Sequence, residues 1–365
     1  MAIGLLKMKL VAEVWNFVKN LRIARAAISI FAKVGTAGLD ILTTKLGKLG
    51  VVAGITFAIL AGGMLLFAKQ LRPAIELQEK MANISTLMRD KVGAAFSHVN
   101  KWITTFTANV INLSAEFGET STATAKGLYD ILSATIPVND AIKVLTVSMR
   151  AARAGLTSTA TATKAIVNVL MAYNMAFDQA AKISDIFFAT IRRGITTFGE
   201  LTPVVGRAAA TAAVAGVSFE ELMASVAAMT RSGLDTGVTI TSINQTLLQF
   251  FKPTEDAIRV AAKLGLNLDL TTLKTEGLLS VMEKLSDILP EQVGQMFRQM
   301  RALRGVNALI QQITGFTEDY NLMLDSAGET QAAFEKQAQS VTLSLDRVKQ
   351  GFNALRIQAM MPFLP

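Results

Sequence analysis

The chain has no cysteine, one histidine (His98), two tryptophans and three tyrosines. The missing thiols exclude disulfides, thiolate metal sites and cysteine nucleophiles together. One imidazole without a second His or Cys does not make a transition-metal site, so His98 reads as a structural or surface residue. No Walker A loop, dinucleotide fingerprint, HExxH or G-x-S-x-G occurs in the 365 residues. The acidic pairs Glu220-Glu221, Glu255-Asp256 and Glu318-Asp319 are sequence neighbours. Neighbours on a helix point about 100° apart, so such pairs share no proton site and read as helix N-terminal or solvent-facing charges. The expectation is a chain that is not an enzyme, with no catalytic residues, no cofactor, no metal and no small-molecule substrate.

What is present is helical pattern. The chain is 51% hydrophobic and rich in Ala, Leu, Val and Thr, with apolar residues mostly three and four apart. Strand-forming residues do not gather into alternating runs bounded by turns. The predicted fold class is all-α: a compact multi-helix core with long flanking heptad-bearing helices.

Charge divides the chain unevenly. Residues 1–72 hold ten Lys or Arg against Glu13 and Asp40, and the remaining 293 residues carry 26 charges of each sign. The whole net charge of +8 therefore sits in the leader. Such a leader suits an anionic partner, membrane headgroups or nucleic acid, or is a solvated helix surface. Within it, Leu10, Val14, Phe17, Leu21, Ala24, Ile28 and Phe31 follow a 4-3-4-3-4-3 spacing. This is either an oligomer seam or the apolar face of a helix lying on its own domain.

Residues 50–68 are nineteen positions without a charge. As a helix they reach roughly 28 Å, close to a bilayer core. Lys45 and Lys48 precede the run; Lys69 and Arg72 follow it. Gly50, Gly54, Ala58 and Gly62 recur every four residues and form a smooth face for close helix approach. The run is either membrane-capable or buried within an assembly.

From Pro73 a short punctuation recurs: glycine, apolar residue, helix cap. It reads Gly155-Leu156-Thr157, Gly194-Ile195-Thr196, Gly216-Val217-Ser218, Gly233-Leu234-Asp235 and Gly265-Leu266-Asn267. The glycine is expected to take the left-handed conformation that ends one helix, the apolar residue to pack back, and the polar residue to cap the next. Thr197 with Glu200 and Ser218 with Glu221 fit capping boxes. Arg298, Arg301 and Arg304 predict a basic ridge on one helix, facing acids of a neighbouring helix or subunit, or else phosphate. After Gly328, Phe334, Ala338, Val341, Leu345, Val348, Phe352 and Leu355 repeat the 4-3 spacing. The expected organisation is a basic N-terminal region at 1–72, a helical core at 73–330, and the start of a C-terminal coiled-coil helix at 331–365.

Residues 73–325 resemble the core region of phage tail tape measure proteins of the TP901 lactococcal-phage type. The resemblance rests on Ala74-Ile75-Glu76-Leu77-Gln78-Glu79-Lys80-Met81-Ala82, Leu128-Tyr129-Asp130-Ile131-Leu132-Ser133-Ala134, Ala151-Ala152-Arg153-Ala154-Gly155 and Ile183-Ser184-Asp185-Ile186. It continues through Gly194 to Leu201, Ala215 to Ala224, and Arg231-Ser232-Gly233-Leu234. The order and intervals of these pieces carry it. Where the family has an aromatic-Gly pair, this chain reads Met296-Phe297-Arg298-Gln299. The resemblance implies a virion protein of the tail lumen that templates tube length during assembly and assists genome ejection through the host membrane. It implies host cytoplasm as the place of assembly, and the host inner membrane as a contact on ejection. The implied partners are further copies of itself (three or six), tail tube and tail tip proteins, and phage DNA in passing. All 365 residues as one helix reach only about 550 Å, so a ruler requires chain beyond Pro365 or a short or divided version. The alternative is a membrane-associated or pore-forming helical protein outside a tail.

Overall fold

The computed structural model describes residues 50–88 and 96–364; the side chains of 50–68, 96–98 and 363 are outside that description. The N-terminal seam candidates Leu10, Val14, Phe17, Leu21, Ile28 and Phe31 lie outside the described residues. Among the described residues the protein is all-α, with sixteen α-helices and no strand. They are α1 (Gly50–Met88), α2 (Phe96–Phe117), α3 (Ser121–Ser133), α4 (Val138–Ala154), α5 (Thr159–Ala172), α6 (Ala180–Arg193), α7 (Phe198–Ala215) and α8 (Phe219–Arg231). Then follow α9 (Thr236–Phe251), α10 (Glu255–Lys263), α11 (Leu270–Ser286), α12 (Pro290–Met296), α13 (Met300–Gln311), α14 (Ile313–Leu324), α15 (Glu329–Ala338) and α16 (Val341–Met360). The chain divides into two compact units: 50–78 with 355–364, and Glu79–Ala354.

The larger unit is built around α8. Every residue from Phe219 to Thr230 is buried. A helix apolar or small on all sides has no solvent face to offer, so it becomes the centre. It packs against α6, α7, α9, α13 and α14, while α5 joins α3, α4 and α7 in a second layer. Phe187 meets Phe198 at 5.1 Å and Phe219 at 5.4 Å between ring centroids, tying α6, α7 and α8 at one point. Each such ring, fully buried, contributes about 1.5–3 kcal/mol.

Among the described residues eight helices start on a side-chain cap: Thr120, Ser158, Thr197, Ser218, Asp235, Thr254, Asp269 and Ser340 each accept from an amide three residues on. The expected capping box of Thr197 with Glu200 is complete, with both hydrogen bonds present. The caps stand one residue later than expected at Ser158, where Thr157 was the candidate, and two later at Asp269, where Asn267 was. The expected glycine conformation holds at Gly216, Gly233 and Gly265, with φ of 80°, 91° and 71°. Gly155 and Gly194 differ, with φ of −89° and −101°. Their requirement is space. A Cβ on Gly155 would lie 2.9 Å from Phe198 Cδ2, and one on Gly194 would lie 2.7 Å from Thr230 Oγ1. At the first turn it is Leu156 that takes positive φ, 50°. Leu156 and Ile195 do not pack back, being 80% and 70% exposed, whereas Val217 is buried.

In the smaller unit α1 runs through Pro73 without a break. Proline has no amide hydrogen for the carbonyl four residues before it, here that of Lys69. Arg356 fills the gap: its Nη2 donates to the Lys69 carbonyl, and its Nε donates to that of Gln70 at 3.2 Å. Burial lowers the pKa of this guanidinium.

Candidate functional site: buried carboxylate clamps and an exposed apolar seam

The acidic pairs lie at helix positions as expected, but three of their carboxylates are buried rather than solvent-facing. Glu220 and Glu221 open α8 and are each about 5% exposed; Asp319 on α14 is fully buried. The 100° rotation between neighbours sends them to different partners. Glu220 Oε1 lies 2.5 Å from Lys182 Nζ. Glu221 Oε1 accepts the Leu279 amide at 2.6 Å. That contact replaces half of the expected capping box: Ser218 accepts from the Glu221 amide, but the Glu221 side chain reaches α11 instead of turning back. Gly277 makes the approach possible. Its φ of 83° interrupts α11, and a Cβ there would stand 2.9 Å from Glu221 Oε1. Burial raises the pKa of Glu221, opposed by the amides of Leu279 and Leu278. Burial, with Glu220 and Glu221 nearby, pushes the Tyr173 phenol well above its ordinary range.

Asp319 closes two helix ends. Arg193 and Arg231 are the last residues of α6 and α8. Arg193 Nε lies 2.5 Å from Asp319 Oδ1, and Arg231 Nη1 lies 2.6 Å from Oδ2. Arg231 Nη1 also donates to the Arg193 carbonyl at 2.8 Å, and Arg193 Nη2 reaches Glu318 at 2.9 Å. Cations suit helix C-termini, where free carbonyls gather. The Asp319 hydrogen bond and charge raise the pKa of Arg193.

A third clamp uses Asp185 on α6. Its Oδ2 accepts from the Gly328 amide and its Oδ1 from the Thr330 amide, both at 2.9 Å, which caps α15. Ser184 Oγ lies 2.8 Å from Thr330 Oγ1, and Arg192 pairs with Glu329 at 2.8 Å. The clamp lies within Ile183-Ser184-Asp185-Ile186, one of the pieces that carry the family resemblance. A carboxylate between apolar core positions was the available signal for a buried cap.

These carboxylates are occupied by amides and guanidinium or ammonium groups. Among the described residues no group of three His, Cys, Asp or Glu is placed to hold a metal. The hollow between α10 and α11, lined in part by Ala261, Leu268 and Met296, holds one ion pair, Lys284 with Glu276 at 2.7 Å.

The basic ridge is not on one helix. Arg298 precedes α13 and pairs with Asp256 of α10 at 3.0 Å, which leaves Arg301 and Arg304 as the exposed helical pair. Gly50, Gly54, Ala58 and Gly62 fall on the first half of α1. Among the described residues no helix is long and apolar enough to cross a membrane, and the transmembrane reading of 50–68 is not supported. The helix that carries the run does not end at its edge; it continues to Met88, with Ala74, Leu77, Ile84 and Met88 fully buried.

The C-terminal seam falls on two helices. Gln339 and Ser340 separate α15 from α16, and the Ser340 hydroxyl accepts the Leu343 amide at 3.2 Å. Val341, Leu345 and Leu355 are 65%, 41% and 55% exposed; Val348 and Phe352 are half-buried. The inward face of α16 is another stripe: Leu343, Ala354, Ile357 and Met360.

The model of the phage-related minor tail protein family matches residues 107–318. These residues run from α2 to α14 and include α8 and the Asp319 partners Arg193 and Arg231. The chain is 25% identical over 347 residues to a probable tape measure protein of Clostridium phage phiCD119, covering 90% of this chain and 34% of that protein. It is 22% identical over 269 residues to the tape measure protein of Pneumococcus phage Dp-1, covering 73% of this chain and 22% of that protein. The chain thus spans about a third and about a fifth of the length of these relatives. No solved structure matches. The chain therefore belongs to the phage-related minor tail protein family and is similar, along 90% of its length, to a phage tape measure protein.

Proposed function

We propose that this chain is the folded helical part of a tail tape measure protein, a structural, non-catalytic component of the tail lumen. The length ruler is carried mainly by sequence outside it. The observation that carries the reading is the family match over 107–318, which falls inside the unit Glu79–Ala354. A ruler works by helical rise, about 1.5 Å per residue along one axis. The turns between α2 and α14 fold the chain back repeatedly, so this part adds little length for its residue count. The relatives, each about three times as long as this chain, leave ample sequence for the ruler.

The proposed parts are a basic region at 1–72, a core at 73–330 and a C-terminal region at 331–365. The basic region meets an anionic surface, the host membrane face or the phage DNA, on ejection. The exposed residues Val341, Leu345 and Leu355, with Val348 and Phe352 half-buried beside them, support self-association through the C-terminal region. The tube and tip proteins are the neighbours this location requires. Mass spectrometry of purified tails is the direct test. Peptides from 107–318 are expected in assembled tails; tails of normal form that lack them would overturn the assignment.

A further inference from the structure

We propose that one face of the larger unit, formed by α5, α7, α9 and α13, docks from one side on an anionic lipid surface. This goes beyond the function proposed above, which gives membrane contact to the basic region at 1–72 alone.

These four helices form a layer. Helix α7 packs between α5 and α9, and α13 packs against α9. Helices α5 and α7 run the same way: Gly155, just before α5, lies against Phe198 at the start of α7, and Asn168 lies against Gly206 midway along both. Helix α9 starts beside the start of α7, where Thr236 Oγ1 lies 2.7 Å from Thr196 Oγ1. Helix α13 runs back. Thr246 donates to the Ala302 carbonyl at 3.1 Å, and Phe250, further along α9, meets Phe297, just before α13, at 6.0 Å between ring centroids.

Two bands cross this layer. The outermost is apolar: Met171, Val214 and Leu248 near the ends of α5, α7 and α9, with Met300 at the start of α13. All four are exposed, Val214 and Met300 by more than half. Behind them stand cations. Lys164 precedes Met171 by seven residues, and Arg207 precedes Val214 by seven. Seven residues return a side chain to the same helix face about 10 Å along. On α13, which runs the other way, Arg304 follows Met300 by four residues, about 6 Å along the same face. Three helices thus place an apolar side chain at the rim and a cation about 6–10 Å behind it, in the same order.

The layer has little charge of its own to answer these cations. In the four helices the one acid is Glu200. It is engaged at the opposite end, where it accepts from the Thr197 amide and the Thr236 hydroxyl. Lys164 has Asp130 of α3 nearby. Arg207, Arg301 and Arg304 are exposed and form no ion pair among the described residues.

The order of the bands selects the occupant. An exposed apolar patch beside polar residues marks an interaction surface. Anionic headgroups attract cations, and apolar side chains enter about 5–10 Å into the boundary with the acyl chains. The two bands have that order and that spacing. Nucleic acid would satisfy the arginines but gives the row of Met171, Val214, Leu248 and Met300 nothing apolar to meet. Docking from one side needs no spanning helix, and among the described residues none is long and apolar enough to cross.

The full chain tests this, because it has no cysteine and accepts a single engineered thiol at each position to be read. Nitroxide labels are placed at Val214→Cys and Met300→Cys on the rim. A control label is placed at Ile195→Cys, exposed in the turn at the other end of the layer. The probes are vesicles of phosphatidylcholine mixed with phosphatidylglycerol, vesicles of phosphatidylcholine alone, and duplex DNA. On the mixed vesicles the rim labels are expected to gain collisions with dissolved oxygen and lose collisions with a water-soluble nickel chelate, while the control label is unchanged. Arg301→Gln with Arg304→Gln is expected to lower the ratio of immersed to aqueous rim label about thirtyfold, the combined effect of two cations at an anionic surface. Rim labels that stay aqueous while the chain is bound to vesicles would overturn the docking face and leave the reading of the basic region standing. Equal immersion on phosphatidylcholine alone would overturn the anionic surface as the occupant. Immersion of the control label with the others would overturn docking by one rim. Protection of the rim labels by duplex DNA and not by vesicles would overturn the lipid in favour of nucleic acid.

Discussion

Asp319 has no solvent exposure and answers two guanidiniums that are a quarter and a third exposed. Removing a buried partner costs more than the pair contributes, because the remaining charges lose their compensation. Both arginines keep some solvent, which softens the loss. Asp319→Ala is expected to lower unfolding free energy by about 3 kcal/mol in urea titration. A change under about 0.5 kcal/mol would show that the clamp is incidental. Glu221 gives a pH signature. Its pKa in the folded state is raised by burial. A raised folded pKa makes the contribution favourable below the unfolded value and lost as pH rises through the folded value. The stability of the native chain relative to Glu221→Gln should therefore fall as pH rises through that window, read from melting temperatures of both proteins. A relative stability that climbs with pH would contradict the burial argument. Leu156 holds φ of 50° with its side chain 80% exposed. Asparagine tolerates that conformation better than leucine, so Leu156→Asn is expected to stabilise by about 0.5 kcal/mol in the same titration.

At the scale of elements, the proline in α1 and the arginine near the end of α16 form one unit of logic. Pro73 frees the Lys69 carbonyl, and Arg356 donates to it. Pro73→Ala supplies the missing amide hydrogen. A double-mutant cycle should therefore find that Arg356→Ala costs about 1 kcal/mol less in the Pro73→Ala background. Additive effects would show that the two residues are independent. Helices were legible in the sequence because their period is local: caps such as Thr197 and Ser218 and apolar residues three and four apart mark them without reference to the rest of the chain. Faces were less legible. Helix α16 carries two apolar stripes, Leu343-Ala354-Ile357 and Val341-Leu345-Leu355, and only tertiary packing decides which turns inward. The clamps were hidden for the same reason. Asp185 meets Thr330 across 145 positions of sequence, and Glu221 meets Leu279 across 58, with no periodic trace of either. Gly155 and Gly194 show a related limit. Their presence was evident, but the demand for room beside Phe198 and Thr230 depends on helices that close over them later in the chain.

For the whole molecule, the central claim is that this chain is folded machinery within a tape measure protein and not its ruler. The all-α class was legible in the three-and-four spacing of the apolar residues. The family match over 107–318 then supplied the setting. The claim has a geometric consequence. Residues added within an exposed turn of the core change no end-to-end distance, whereas residues added to an extended helical ruler lengthen the tail. The direct measurement is tail length by electron microscopy after inserting about forty helix-forming residues at the exposed turn of Leu289. The account predicts tails of unchanged length. Tails longer by about 60 Å, the rise of the inserted residues at about 1.5 Å each, would show that this segment measures after all.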